Sequence, residues 1–368
     1  MPKKKNQHYV PQMYFRNFSE NGKSIGGYIL KTRAFVRDMP ISGICKRDYL
    51  YGDDLQIEEW FSKLEGLWAQ VLKKIIIQES LEITQEEYVY LLEFFFLSDV
   101  RTGYTADREN DTLAKMCQTI MMLKRDHNQL DIDDERIKKI RYRWDKPNLY
   151  AIKAMKKILP LFCDLEPLLI INNTSRQFIT SDNPVVKYNY LFAKRNYHLP
   201  FGYGHVGVLL LLPITEKLCL MLYDPKAYDV INQNDSVLQI RASDQIIEIN
   251  KLIAINAKSM FFFQNSAREW VVEKYAEGIK DTHQNYNNHI IKQNADSYFV
   301  TSSGNSIFTV YNLAFCSIKA EKLHMPLPRS LAGPQRPIVK QLQESEKRDT
   351  QFGRNLRLED LRILHEFD

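Results

Sequence analysis

Residues 206–223 read Val-Gly-Val-Leu-Leu-Leu-Leu-Pro-Ile-Thr-Glu-Lys-Leu-Cys-Leu-Met-Leu-Tyr. Two runs rich in β-forming residues, Val206–Leu212 and Leu218–Tyr223, flank a turn at Pro213–Lys217. Runs of this length and composition, bounded by turn residues, are typical of strands. The stretch therefore predicts two strands that are joined by a hairpin connection.

Further strands are predicted on both sides of this hairpin, because short β-forming runs alternate with turn residues there. They lie at Ile25–Leu30, Ala34–Arg37, Tyr49–Tyr51, Leu168–Asn172, Gln177–Thr180, Val185–Tyr188 and Trp270–Val272. A helix is predicted at about 246–263, and residues 281–296 are polar enough for a loop or a helix. Residues 298–318 combine strand signals with a Ser-Ser-Gly-Asn turn.

Residues 55–162 form a predicted helical block. Apolar residues recur every three or four positions from Ile57 to Ile75, which gives a helix over 55–79 one apolar face. Asp53 with Gln56, and Thr84 with Glu87, have the spacing of capping boxes. The second helix is expected to run to about Thr102 and to end at Gly103, and further helices are expected at about 106–126, 133–144 and 149–162.

These elements predict an α+β fold in which the helical block (about 55–162) packs on a mostly antiparallel sheet. The N-terminal strands and residues about 166–318 would form that sheet. We expect one domain over 1–320 with the helical block as an insertion. Residues 321–368 form a Pro-containing basic tail, predicted to be disordered or packed on the surface, with a short helix at Asn355–Phe367.

Composition limits the class of protein. The chain has 368 residues, and 44% of them are hydrophobic, which suits a globular core, while 14 Gly and 14 Pro exclude collagen-like sequences. The five cysteines form no C-x-x-C pair, which argues against a disulfide scaffold. No apolar segment follows Met1–Lys5 and no apolar run is long enough to span a bilayer, so we expect a cytoplasmic protein without membrane contact.

Two well-known catalytic motifs are absent from the sequence. It has no Walker A loop and no His-Glu-x-x-His. The segment Gly202–Gly207 fits Gly-x-Gly-x-x-Gly in letters, but it precedes a predicted strand instead of opening a helix. It therefore lacks the helix N-terminus that holds a pyrophosphate, and a loop that needs a flexible backbone is the simpler interpretation.

The first candidate site segment is Gln7-His8-Tyr9-Val10-Pro11, with Arg16 in the short helix that Pro11 opens. His8 could act as a general acid or base because the pKa of histidine lies near neutrality. Arg16 could hold an anionic group bidentately. In the alternative interpretation His8 caps or packs locally and has no chemical role.

The second candidate segment is Thr180-Ser181-Asp182-Asn183-Pro184, where a strand runs into a polar turn. Asp182 could orient a histidine or bind a metal ion, and Asn183 could stabilise an anion. In the alternative interpretation Asp182 and Asn183 bond to their own backbone in an Asx turn.

A third feature is basic. Residues 136–157 hold nine Lys or Arg and one acid, with Tyr142, Trp144 and Tyr150 between them. Such a stretch could bind nucleic acid, and its candidate contacts are Lys138, Lys139, Arg141 and Arg143. In the alternative interpretation it is the solvated face of a helix whose Ile137, Ile140 and Trp144 are buried.

The two polar segments together resemble the signature of a bacterial family known only as a domain of unknown function. Its members begin with a Q-H-Y-V-P motif and an R-x-F element, matched here by Gln7–Pro11 and by Arg16-Asn17-Phe18. They continue with a motif similar to Thr180–Pro184 and a turn similar to Leu212–Thr215. The resemblance covers about residues 6–265 and implies that the distant segments belong to one domain, but it implies no activity.

Two hypotheses follow. In the first, the chain is a nuclease-like hydrolase of phosphodiester or nucleotide substrates, in a toxin or phage-defence setting. The site would contain His8, Asp182, Arg16 and Asn183 as catalytic residues and Gln7, Tyr9, Thr180 and Ser181 as substrate-binding residues. In the second, both motifs are structural, and the basic helices and the tail bind nucleic acid or a partner protein. The sequence assigns no metal, cofactor or oligomeric state.

Overall fold

The computed structural model describes residues 6–51, 55–140, 142, 146–199, 201–231, 233–279, 287–294, 297–303, 307–327 and 333–348. Its α-helices are α1 (Gln12–Arg16), α2 (Leu55–Gln78), α3 (Gln85–Val100), α4 (Gly103–Asp126), α5 (Asp134–Lys139), α6 (Pro147–Lys153), α7 (Met155–Ile158), α8 (Tyr190–Lys194), α9 (Ser243–Asn256), α10 (Glu269–Ala276), α11 (Ala320–Leu323) and α12 (Pro337–Arg348). Short 3-10 helices lie at Ile41–Gly43, Leu159–Phe162 and Glu277–Ile279.

The strands are β1 (Asn6–His8), β2 (Ser24–Ile29), β3 (Ala34–Pro40), β4 (Lys46–Asp48), β5 (Glu166–Asn172), β6 (Thr180–Ser181), β7 (Val186–Tyr188), β8 (Leu209–Pro213), β9 (Leu218–Tyr223), β10 (Tyr228–Val230), β11 (Gln233–Asn234), β12 (Val237–Ile240), β13 (Met260–Phe263), β14 (Asn287–Asn294), β15 (Ser297–Ser303) and β16 (Cys316–Ile318). They form a six-stranded sheet, a four-stranded sheet and the two-stranded pairs β1–β4, β10–β16 and β14–β15.

The predicted hairpin at 206–223 lies within the six-stranded sheet. β8 and β9 pair antiparallel with Leu211 opposite Met221, and the strand order is β11-β12-β5-β9-β8-β7. The β12–β5 pair is parallel, whereas the other neighbouring pairs of this sheet are antiparallel. As predicted, the Gly202–Gly207 segment leads into this sheet and not into a helix.

Both faces of the hairpin are buried. Successive side chains of a strand point to opposite faces, so the residues of β8 and β9 divide between two hydrophobic cores. The first core, which contains the apolar residues of α2 and α3, takes Leu210, Leu212, Leu220 and Leu222. The second core, which contains those of α9, takes Leu209, Leu211, Cys219 and Met221. Burial on both faces explains why this sequence is continuously apolar and does not alternate with polar residues.

The helical block has the predicted capping box at its second helix. The Thr84 side chain accepts a hydrogen bond from the Glu87 backbone N–H (3.2 Å), and Glu87 Oε2 accepts one from the Thr84 N–H (2.7 Å). These two bonds satisfy N–H groups that the first turn of α3 leaves without helical partners. The other predicted box begins at Asp53, which lies outside the described residues.

Three helix boundaries differ from the prediction. Gly103 does not end a helix but begins α4, because Thr102 caps that helix by accepting a bond from the Thr105 N–H (3.3 Å). The predicted helix 133–144 ends in α5 at Lys139, and part of its remainder lies outside the described residues. The predicted helix 149–162 is divided into α6, α7 and a 3-10 turn that contains Pro160, which has no N–H to donate.

The N-terminal strands β2 and β3 do not join the six-stranded sheet but form a second sheet with β13 and β6. It is four-stranded and antiparallel, with the order β3-β2-β13-β6, and Tyr28 of β2 stacks on Phe261 of β13 (ring centroids 5.1 Å apart). The strand predicted at Tyr49–Tyr51 lies instead at Lys46–Asp48, where it pairs with β1. The predicted α+β class with mostly antiparallel strands is confirmed.

Three predictions in the second half of the chain are wrong. The predicted helix 246–263 ends at Asn256, and Met260–Phe263 form strand β13, because these residues bond to β2 and β6 on either side. The predicted strand Trp270–Val272 lies in helix α10, where Val272 and Tyr275, three residues apart, are both buried. Residues 287–294, predicted as loop or helix, form β14. The end of the predicted Ser-Ser-Gly-Asn turn lies outside the described residues.

The described part of the predicted tail packs on the domain. Arg336 is buried, and its guanidinium bonds to the Asp164 carboxylate and to the carbonyls of Leu161 and Tyr203. His205 forms a β-bridge with Gln335. The helix predicted at 355–367 lies outside the described residues. Among the helices that the structure describes, none has the length and apolar character needed to cross a bilayer.

Glu93 is a carboxyl group inside the first core. It lies on α3 with 2% of its surface exposed, and its Oε2 atom has no hydrogen-bond partner among the described residues. Burial raises the pKa of Glu93 from its ordinary 4.5 to about 7, because the charged form loses its hydration.

We expect Glu93 to make the stability depend on pH. The folded chain keeps the Glu93 proton to a higher pH than the unfolded chain, so the free energy of unfolding falls as the pH rises from about 5 to about 8. Glu93→Gln should therefore raise the free energy of unfolding by up to about 3 kcal/mol at pH 8 and change it little at pH 5. Urea denaturation at both pH values measures this, with Glu86→Gln, an exposed acid of the same helix, as control. Equal pH dependence of wild type and Glu93→Gln would contradict it.

Candidate functional site

A polar cavity of about 390 Å³ opens between the N-terminal segment and helix α2. We call it the Arg101 pocket. Its polar lining consists of His8, Gln12, Arg16, Glu58, Ser62, Glu65 and Arg101. Its volume lies in the range of small-molecule sites, and two arginines, two glutamates and a histidine supply both charges and a titratable group.

Arg101 is the most deeply buried charge of the pocket. It follows the last residue of α3 and is 2% exposed. Its Nε donates to the Tyr51 hydroxyl (3.1 Å), and its Nη2 donates to the His8 carbonyl (2.8 Å) and to Glu65 Oε1 (3.0 Å). Burial works against the charged guanidinium, but Tyr51 and Glu65 raise the pKa of Arg101 above its ordinary value. Its Nη1 is buried and has no hydrogen-bond partner among the described residues.

His8 lines the same pocket as a neutral imidazole. Its Nδ1 lies 3.1 Å from the Ile44 carbonyl oxygen, and since a carbonyl only accepts, Nδ1 carries the proton. Its Nε2 accordingly keeps its lone pair and accepts a bond from Gln12 Nε2 (2.9 Å), while Gln12 Oε1 accepts from the exposed Arg16 (3.2 Å). Burial lowers the pKa of His8 below its ordinary 6.5. The imidazole therefore presents a basic nitrogen at neutral pH.

Asp182 lies outside the lining of this pocket and bonds to a different part of the chain. Its Oδ1 accepts from the Lys258 backbone N–H (2.8 Å), and its Oδ2 accepts from those of Ser259 (2.8 Å) and Met260 (3.3 Å). Burial raises the pKa of Asp182 to about 6, and these backbone bonds work in the opposite direction. Asp182 thus joins the polar turn to the start of β13.

The neighbours of Asp182 also bond within the turn. Asn183 Nδ2 donates to the Asn256 carbonyl (3.1 Å), and Asn256 Nδ2 donates back to the Asn183 carbonyl (2.7 Å). The Ser181 hydroxyl donates to the Asn183 carbonyl (2.8 Å). Asn183 Oδ1 is buried without a hydrogen-bond partner among the described residues. The structure thus places the imidazole of His8 and the side chains of Asp182 and Asn183 in separate bonding networks.

Other residues of the two motifs do meet. Gln7 and Tyr9 flank His8 in the chain, so their side chains point away from the side that His8 faces. Burial is the largest cause that raises the pKa of Tyr9, and the charge of Asp182 raises it further. The Tyr14 hydroxyl lies 2.6 Å from Thr180 Oγ1 and donates to the Pro213 carbonyl (2.6 Å). Gln7 Oε1 accepts from the Tyr51 N–H (2.6 Å). The N-terminal segment therefore approaches the second motif through Tyr9 and Tyr14, whereas His8 lines the Arg101 pocket.

The described part of the basic segment lies in α5, α6 and α7, of which Ile137, Ile152 and Met155 are buried. Lys138 and Lys139 are exposed on α5, and Lys138 pairs with Glu135 (3.2 Å). Arg141 and Arg143 lie outside the described residues. A group of three or more His, Cys, Asp and Glu side chains that could hold a metal ion is absent from the described residues.

Sequence reasoning missed Arg101, Glu65 and Gln12. Arg101 and Glu93 both belong to a stretch whose other residues are largely apolar. A charged residue in such a stretch indicates a buried polar site, because charged side chains are rarely buried without a partner. Glu65 gave no comparable signal, since it is one of three glutamates in a helix that also carries lysines.

Comparison with known proteins identifies a family but no activity. The family model described as "Protein of unknown function (DUF4238)" matches residues 6–267, close to the range of the resemblance found in the sequence. Neither the curated proteins nor the solved structures contain a match to this chain.

We expect Asp182→Asn to destabilise the fold. The variant replaces one carboxylate oxygen, which accepts hydrogen bonds from backbone N–H groups, with an amide NH2 that cannot accept them. Each buried N–H left without an acceptor costs roughly 1–3 kcal/mol. The free energy of unfolding from urea titration should fall by at least about 2 kcal/mol, and that of the control Asp131→Asn, at an exposed acid, should not change. A variant as stable as the wild type but without function would instead favour a catalytic Asp182.

Proposed function

The chain belongs to the DUF4238 family, whose description names no activity, and we propose that its Arg101 pocket is the active site of a nuclease-like hydrolase. The proposed substrate is a nucleotide or another phosphate ester. One observation carries the proposal: Nη1 of the buried Arg101 has no hydrogen-bond partner among the described residues, in a cavity that also contains neutral His8. A buried donor of this kind is normally satisfied, and a ligand oxygen would satisfy it.

The charges of the pocket favour a ligand that carries both an anionic group and hydrogen-bond donors. Arg16 and Arg101 match the oxygens of a phosphate, which arginine binds in a planar, bidentate manner. Glu58 and Glu65 would repel a bare phosphate but accept bonds from hydroxyl or amino groups. A nucleotide offers all of these groups, with phosphate oxygens for the arginines and sugar hydroxyls or base amino groups for the glutamates.

His8 supplies the proton transfer. In the proposed step His8 Nε2 is released by Gln12 and takes a proton from a water molecule, whose oxygen forms a bond to phosphorus. The bond from phosphorus to the leaving oxygen breaks, and that oxygen receives the proton from the His8 imidazolium. Arg101 and Arg16 stabilise the charge on the phosphoryl oxygens during this step.

A second candidate function is ligand binding without hydrolysis. It is favoured by the bonding of His8, since both ring nitrogens already have partners in Ile44 and Gln12. The internal bonds of Asp182 and Asn183 also fit a structural role for that motif. In this case the pocket would act as a nucleotide sensor within a binding module.

We expect His8→Asn to separate the two functions. The asparagine amide can still donate to the Ile44 carbonyl, but the basic nitrogen is lost, so kcat should fall about 100-fold or more while nucleotide affinity is kept. The measurement is hydrolysis of a panel of nucleotides and short DNA and RNA strands by the full chain. The wild-type kcat/KM should rise with pH through an apparent pKa below 6.5, the ordinary value from which burial lowers that of His8.

One control variant and two possible results complete this test. Lys73→Ala, at an exposed residue of α2, should keep the wild-type activity, and thermal unfolding should show that both variants fold. Undiminished kcat in His8→Asn would contradict the hydrolase, and so would nucleotide binding without turnover by the wild type. The second of these results would support the sensor.

We extend the proposal to a toxin or phage-defence setting, because hydrolysis of nucleotides or nucleic acid depletes what a growing cell or phage requires. Expression of the wild type in a bacterial host should then slow growth, and expression of His8→Asn at the same protein level should not. Growth curves with matched expression measure this. Equal growth in both cultures would contradict the toxic setting.

A further inference from the structure

A second cavity, of about 430 Å³, lies between strand β13 and the start of helix α10. We call it the Trp270 pocket. Its lining includes Arg176, Gln177, Phe263, Arg268, Trp270 and Tyr275, and it shares no lining residue with the Arg101 pocket. Arg268, Trp270 and Tyr275 lie beyond the residues that the family model matches.

Trp270 offers a flat aromatic surface at this cavity. Its side chain is 47% exposed, which is unusual for the largest apolar side chain. The Arg176 guanidinium carbon lies over the Trp270 ring, 5.3 Å from its centre, and Lys274 Nζ also lies over the ring, at 5.1 Å. A base that stacks on the indole therefore displaces one of these cations from the ring face. An exposed indole beside cationic groups is the arrangement by which proteins stack a nucleobase and hold its phosphate.

The charge around the cavity favours an anion. Arg176 and Arg268 line it, and Lys274 adds a third cation at the Trp270 ring. The acids nearest in sequence, Glu269 and Glu273, are on α10 and are not among the lining residues. Helix α10 begins at the cavity with no side-chain cap at Arg268, so its partial positive charge adds to that of the arginines.

Gln177 indicates that the ligand also carries a hydrogen-bond donor. Its Nε2 donates to Gln264 Oε1 (2.7 Å), which fixes the amide plane. Its Oε1 is buried and has no hydrogen-bond partner among the described residues. A buried carbonyl oxygen of this kind accepts a donor when one is available, and the amino or ring N–H groups of a nucleobase are such donors.

From these contacts we propose that the Trp270 pocket is a second ligand site, which binds a nucleotide. The base stacks on Trp270 and donates to Gln177 Oε1, and the phosphate contacts Arg176 and Arg268. The nucleotide is either free or the end of a single-stranded nucleic acid. This site does not depend on the Arg101 pocket, and it stands if the proposed hydrolase is disproved.

The test is a titration of the full chain followed by tryptophan fluorescence, because stacking on Trp270 quenches its emission while Trp60 and Trp68 are buried. The fourth tryptophan, Trp144, is controlled for by the same titration of Trp270→Ala, which should show no quenching. The probes are adenosine 5′-monophosphate, adenosine, inorganic phosphate and a ten-residue single-stranded oligonucleotide. We expect the monophosphate to bind more tightly than adenosine or phosphate alone. Tighter binding of the oligonucleotide identifies a nucleic-acid end as the source, and equal or weaker binding identifies the free nucleotide.

Variants locate the binding. By calorimetry Trp270→Ala should weaken monophosphate binding at least about tenfold, while Ile77→Ala, at another exposed apolar residue, should not. Arg176→Ala should weaken the monophosphate but not adenosine, and Lys73→Ala should change neither. Thermal unfolding confirms that each variant folds.

Two results would overturn the inference. One is the absence of any fluorescence change or heat up to millimolar monophosphate. The other is binding that survives Trp270→Ala and Arg176→Ala but is lost in Arg101→Lys. That second result would place the nucleotide in the Arg101 pocket alone, so it would support the proposed function while contradicting the Trp270 site.

Discussion

The N-terminal half of the structure depends on the burial of one cation. Arg101 lies at the end of α3 and bonds to the His8 carbonyl, the Tyr51 hydroxyl and the Glu65 carboxylate. A guanidinium removed from water costs several kcal/mol unless it is paired and hydrogen-bonded. These three partners come from different segments, so they can satisfy the cation only when β1, the segment at Tyr51 and helix α2 are all in place. The same interaction holds the His8 backbone and leaves Nη1 of Arg101 without a hydrogen-bond partner among the described residues.

The two polar motifs have different roles in this arrangement. The first motif places His8 in the Arg101 pocket, whereas the residues on either side of His8 pack against the rest of the structure. In the second, Asp182 and Asn183 join a turn to β13 and to the end of α9 through backbone groups. Tyr14 connects them, because its hydroxyl bonds to Thr180 and Pro213. The His8 imidazole and the Asp182 carboxylate therefore lie in separate hydrogen-bond networks.

The central hairpin separates the two cores on which these sites are built. Leu210 and Leu211 of β8 belong to opposite cores, so the sheet is covered by helices on both faces. The Arg101 pocket is built on the helices of the first core, with α2 and α3. The Trp270 pocket is built on β13 and α10, with residues of the second core such as Phe263 and Tyr275. The two cavities that contain arginines therefore lie on different elements of the structure.

The sequence by itself determined the elements whose signals are local. The β-forming runs at 206–223, the helical period of α2 and the Thr84 capping box depend on neighbours a few residues away, and each is present in the structure. Only the tertiary structure decided that Met260–Phe263 pair as a strand and that Trp270–Val272 coil into a helix, because β-forming side chains suit either state until their partners are known. The site was decided in the same way. The partners of Arg101 lie 36, 50 and 93 residues away in the chain, a separation that no local pattern encodes.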